Sequence, residues 1–137
     1  MENTQKDISR LKIAGLFTIS FFGYVLHMVI HNTMSHGMDP AKLKEMSTMM
    51  AKPEILAMFF AWNILTILPA FLAFVLKGKR GWWFIAIFGT LASLLNAWHS
   101  IAHIIQGDMF NGSNTFVMQM IPAIWAVVLS YQHARDL

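Results

Sequence analysis

No cysteine occurs anywhere in the chain, so disulfides, thiolate metal sites and thiol nucleophiles are all excluded. Charge is almost as scarce: 12% of the residues are charged, against about a quarter in an ordinary soluble domain. It is missing altogether from four long stretches, residues 13–30, 55–76, 82–105 and 116–131, which hold no Lys, Arg, Asp or Glu. Those stretches contain no carboxylate to act as a general base. No His-Glu-x-x-His pattern occurs either, since Met28 follows His27 and Ser100 follows His99. A hydrolytic zinc enzyme of that kind is excluded.

What is present instead is apolar. Hydrophobic residues make up 56% of the chain, and each charge-free stretch approaches the ~20 residues that cross ~30 Å of hydrocarbon. A single such run would fit the core of a soluble domain. Four of them in 137 residues describe an all-α integral membrane protein, a single polytopic domain over residues 1–137 built as a four-helix bundle. The first run follows Lys6, Arg10 and Lys12, but it is too long for a cleaved leader and no small-residue cleavage pattern follows, so it is expected to remain as a span. The lipid bilayer is then the expected surroundings, with other membrane subunits or further copies of the chain as the expected protein partners. A formal charge of +3 requires no nucleic acid.

With four spans, both termini share one side. The termini and the "KGKR" turn carry Lys6, Arg10, Lys12, Lys77, Lys79, Arg80 and Arg135, whereas the other side carries Lys42, Lys44 and Lys52. That asymmetry predicts cytoplasmic termini in a plasma membrane or bacterial inner membrane. Trp82 and Trp83 follow the basic turn, as an interfacial aromatic belt requires. Between the first two spans, residues 39–52 open with Asp39 as an N-cap and Pro40 at the first helical position. Leu43, Met46, Met49 and Met50 share one face, which predicts a short amphipathic helix in the interface. The "NGSN" stretch at 111–114 reads as a turn, and the loops 31–54 and 106–115 as the segments able to cover a site.

Histidine is uncommon in hydrocarbon, yet the first span carries His27 and His31 and the third carries His99 and His103. Four residues make about one helical turn, so each pair shares a face. The first and third spans run in the same direction, and both pairs stand at C-terminal ends. All four imidazoles are therefore expected at one depth, on the extracytoplasmic side. Ser20 and Tyr24 continue one stripe inward, and Ser93 and Asn96 the other. Polar stripes in lipid turn toward the bundle interior.

Four converging imidazoles suit copper, zinc or iron, with His36, Met34, Met38 and Asp108 as further candidate ligands. Thioether next to imidazole, as in "MSHGM", favours copper. Tyr24, Asn63, Asn96, Ser100 and Gln119 are candidates to hold the second nitrogen of each ring. A divalent ion among four neutral ligands keeps its charge, which argues for an interfacial site, for one of the acids near the mouth (Asp39, Glu54 or Asp108) entering the shell, or for a monovalent ion. The functions that follow are metal handling or metal-dependent redox or oxygen chemistry, with no catalytic residue assignable. Two alternatives stand beside this. A b-type haem, held by one of His27/His31 and one of His99/His103, would make an electron-transfer subunit. Purely interhelical histidine contacts, worth roughly 0.6–2 kcal/mol each, would make a structural or accessory subunit. The i, i+4 pairs share their spacing with the histidine boxes of membrane hydroxylases and desaturases, which carry many more histidines, and no family is assigned on that basis. His133 stands at the opposite end, as an interfacial residue.

Overall fold

The computed structural model describes residues 2–36 and 39–137, with side chains described for all of these except 2–6, 32 and 34–36. Every regular element among them is helical. In chain order these are α1 (Glu2–His36), α2 (Pro40–Met50), α3 (Pro53–Val75), α4 (Lys79–Ile105), α5 (Met109–Thr115), a π-helical turn (Phe116–Met120) and α6 (Ile121–Asp136). The last three form one continuous rod. Four helices are long and apolar enough to cross a membrane: Asp7–His31, Pro53–Val75, Lys79–Ile105 and Met109–Asp136. At ~1.5 Å per residue, each exceeds the ~30 Å of a hydrocarbon core.

α2 starts as its sequence dictates. The Asp39 side chain accepts from the Ala41 N–H at 2.9 Å, and Pro40 takes the first helical position. The fourth span corrects the sequence reading, because it begins at Met109 rather than 116 and the "NGSN" residues are helical. The reason is local. α4 ends in a Schellman closure, with Gly107 at φ +81 and N–H bonds from Gly107 to Ile104 O (3.0 Å) and from Asp108 to His103 O (2.9 Å). Asp108 then serves as N-cap, accepting from the Asn111 N–H at 3.1 Å. Gly112 supplies no turn. It lets α5 lie directly on α4, where Ser100 Oγ donates to Gly112 O at 2.7 Å and an added Cβ would meet Ile104. Of the expected covering loop at 106–115, only Gln106–Asp108 is non-helical.

The π turn also has a cause in the sequence. Pro122 has no N–H to give the carbonyl of Met118 four residues back, and its ring crowds that carbonyl. Immediately before it the rod widens, with Ile121 N–H bonding to Phe116 O five residues back. The displaced carbonyls are received by α1. Ser20 Oγ donates to Gln119 O at 2.8 Å, and Gly23 lies so close to Met118 O that a Cβ there would overlap it.

α1 packs between α3 and the fourth span, and α4 packs mainly on the fourth span. Of the four membrane-length helices α3 is the most lightly held, its buried residues Thr66, Pro69, Ala70 and Ala73 all lying in its second half. There Arg10 of α1 reaches across to cap it, donating to Phe74 O at 2.8 Å. The interior divides by chemistry along its length. Toward the termini it is mainly apolar, built from Ile13, Ala14, Phe17, Ala70, Ala73, Trp82, Ile85, Ala126, Val127 and Ala134, with the buried Ser130 hydroxyl bonded to its own helix at Ala126 O. Toward the α4–α5 turn it is polar, with Ser20, His27, Asn96, Ser100, His103, Asn111, Thr115 and Gln119 all buried.

Candidate metal centre

Because α1 and α4 run in parallel with the N-terminal part of the fourth span against both, the two histidine pairs close on one another. Each of the four rings has at least two of the others at centroid distances of 4.7–5.6 Å. His27 is fully buried and His103 nearly so, at 0% and 7% exposure, while His31 and His99 are half-buried. The closest approach is 3.0 Å, between His27 Nε2 and His99 Nε2.

Hydrogen bonding sets the direction of the rings. The Thr115 hydroxyl gives its single proton to Asn111 O at 2.8 Å, so at His27 Nδ1, 3.2 Å away, it acts as acceptor. His27 therefore carries its proton on Nδ1 and presents a bare Nε2. Asp108 Oδ2 lies 3.4 Å from His103 Nδ1, close enough for charge attraction but without hydrogen-bond geometry. His31 differs. Asn111 Nδ2 donates to Asp108 Oδ2 at 2.7 Å and places its second hydrogen toward His31 Nδ1 at 3.3 Å. Flipping this amide would set Asn111 Oδ1 against the carboxylate, so the orientation is fixed by charge. Together the Asn111 side chain and backbone N–H, aided by His103 and His31, hold the Asp108 carboxyl below its usual range. It is a carboxylate at neutral pH.

Two overlapping donor sets result, each with its ligand atoms within 4.8 Å of one another: His27, His99 and His103, and His31, His103 and Asp108. The first set is able to hold a metal ion. Two imidazole nitrogens bound side by side at ~2.1 Å from one ion stand ~3.0–3.4 Å apart, the separation found for His27 and His99. Without an ion, the same pair is an N–H···N bond donated by His99.

The groups suggested to hold the second ring nitrogens are placed otherwise. Ser100 bonds to the Gly112 carbonyl. Asn63 Nδ2 donates to Phe59 O at 2.7 Å and its side chain meets the Tyr24 hydroxyl. Asn96 and Gln119 are buried with polar atoms unpartnered. Thr115 and Asn111 are the groups that face ring nitrogens, at His27 Nδ1 and His31 Nδ1. Reading 111–114 as a turn hid them, although Asn111, Thr115 and Gln119 recur every four residues as a third polar stripe. Trp62 was also missed; its ring lies between Tyr24 and His99, with centroids 6.3 and 5.9 Å away. The side chains of Met34 and His36, and Met38 altogether, lie outside the described residues. His133 packs edge-on against Trp82 at 4.4 Å, at the far end of α4.

Asp108 has two functions that one substitution separates. In Asp108→Asn the amide oxygen still caps α5, but the charge facing His103 is lost. Metal affinity should fall ~10–100-fold, the usual effect of removing a carboxylate beside a ligating histidine. The melting temperature should stay near wild type. Metal titration with thermal melting checks this, and unchanged affinity would remove Asp108 from the centre.

Fold and site together define a small helical protein with four membrane-length helices and a buried histidine cluster able to hold a metal ion. No protein-family model matches the chain, and neither the curated proteins nor the solved structures contain a match.

Proposed function

We propose that the chain is a membrane metalloprotein in which His27, His99 and His103 hold one copper, zinc or iron ion close to one face of the bilayer, with His31 and Asp108 at the mouth. One observation carries the reading. Thr115 occupies His27 Nδ1 and leaves its Nε2 turned 3.0 Å from that of His99, with the Asp108 carboxylate 3.4 Å from His103 Nδ1. The nearby carboxylate offsets part of the ion's charge, which three neutral imidazoles cannot. An ion so held keeps an open position, at which it polarises or exchanges electrons with a small molecule.

Ring packing favours a bare ion over haem. Axial nitrogens on opposite faces of a haem iron lie ~4 Å apart, twice a metal–imidazole bond, with the macrocycle between them. Here the two Nε2 atoms are 3.0 Å apart and the other two rings fill the flanks. The apolar terminal half of the bundle argues for capture or chemistry at one face rather than passage through it. The distribution of Lys and Arg supports an extracytoplasmic placement of that face.

Elemental analysis and an absorption spectrum of the protein purified in mild detergent test the reading. Near-stoichiometric copper, zinc or iron without a Soret band is expected. A Soret band replaces it with the cytochrome reading. Protein that neither retains nor takes up metal reduces the histidines to interhelical contacts.

A further inference from the structure

The polar half of the bundle holds more hydrogen-bonding capacity than its own side chains use. Gln119 is 0% exposed, and neither its Oε1 nor its Nε2 has a partner; Asn96 is 1% exposed, and its Oδ1 has none. Among apolar helices such atoms are costly unless a ligand or ordered water meets them. Both residues stand just inward of the histidines. Asn96 is three residues before His99 on α4, and Gln119 is four after Thr115 on the fourth span.

Side chains on a helix lean toward its N-terminus. For the fourth span this tips Gln119 toward the histidines. For α1 and α4 it tips His27 and His99 down toward the turns of Gly23 and Asn96. Further inward, Phe17 closes against Gly89 and Val127, and the apolar core begins.

We infer that the Asn96 and Gln119 carboxamides form a water site beneath the histidines, and that its water completes the coordination of the ion. The inference rests on the metal reading above. A water bound to a cation gives its lone pair to the ion, so both of its hydrogens need acceptors. Asn96 Oδ1 and Gln119 Oε1 are two acceptors with no donor of their own. Gln119 Nε2, a donor, is met by a second water. With the apolar half closed behind it, this water exchanges only through the histidine end. The site therefore selects small, uncharged, hydrogen-bonding molecules as the exchangeable ligand.

The test uses the full chain in detergent, loaded with Cu²⁺ alone, moved into D₂O and read by pulsed electron spin-echo spectroscopy. Wild type should show imidazole nitrogen couplings together with deuterium from a directly bound water. The near-isosteric Asn96→Leu/Gln119→Met variant should keep the nitrogen couplings and lose most of that deuterium signal. Imidazole nitrogen without bound-water deuterium in wild type, or an undiminished signal in the variant, overturns the water site. Absence of imidazole nitrogen in wild type overturns the metal reading and the water site with it. Thermal melting of the single variants without metal gives a second readout. Carboxamides that stand dry and unmatched would make apolar replacement stabilising. A raised melting temperature for both Asn96→Leu and Gln119→Met overturns the inference, and a lowered one supports it.

Discussion

Replacing His103 with alanine is expected to lower metal affinity at least a hundredfold, the largest loss of any single change in this protein. His103 belongs to both donor sets and lies 3.4 Å from the Asp108 carboxylate. Its removal leaves an ion short of a ligand and Asp108 short of a partner. A hundredfold corresponds to about 2.7 kcal/mol, within the several kcal/mol that follow when a buried charge loses its compensation. His27→Ala and His99→Ala should cost nearly as much, because their Nε2 atoms form the closest pair in the cluster. His31→Ala should cost about tenfold or less, since its Nδ1 faces the Asn111 amide and its ring is half-exposed. His133→Ala, against Trp82 at the other end, should leave affinity unchanged. Competition titrations with a chromophoric chelator separate the possibilities. Equal losses at all four cluster histidines would make it a four-ligand centre. One silent member in each pair, with a Soret band lost on changing the other, would make it a haem site.

The second large effect is expected at Gly23, which touches no histidine. A Cβ at Gly23 would overlap the carbonyl of Met118, a backbone atom that cannot swing aside. α1 and the π turn would have to separate. Overpacking of this kind costs ~1–3 kcal/mol for a small group, and Gly23→Val adds a branched side chain to the same place. Separation also draws Ser20 from Gln119 O and Thr115 from His27 Nδ1. Gly23→Val should therefore melt well below wild type and bind metal more weakly. Gly15→Ala is the control: a Cβ there meets nothing within 4 Å, and alanine is the better helix former by ~1 kcal/mol. Equal melting temperatures for Gly23→Val and wild type would show that this contact does not hold the two helices together.

Hydropathy and helical periodicity account for much of this architecture without any coordinates. Four runs without charge mark the four spans, although the fourth span extends beyond its run to begin at Met109. A histidine pair at the C-terminal end of the first and third places all four imidazoles at one depth, because alternate spans run in the same direction. The start of α2 was legible too, since Asp39 and Pro40 act within one turn of chain. These are local or one-dimensional properties, and the sequence states them directly.

Other features depend on which surface lies opposite. Gly112 within "NGSN" has the composition of a turn, yet it serves as the flat spot where α5 meets α4. Glycine suits both purposes, and only the facing helix decides between them. Asn111 and Thr115 became partners of His31 and His27 for the same reason. The distinction between His31 and His27 is likewise tertiary, because their Nδ1 atoms meet Asn111 and Thr115, 80 and 88 residues away. Spacing along a helix determined which side chains share a face. How closely the faces approach, and which atoms meet when they do, was decided by packing between helices, where a single missing Cβ at Gly23 or Gly112 sets the distance.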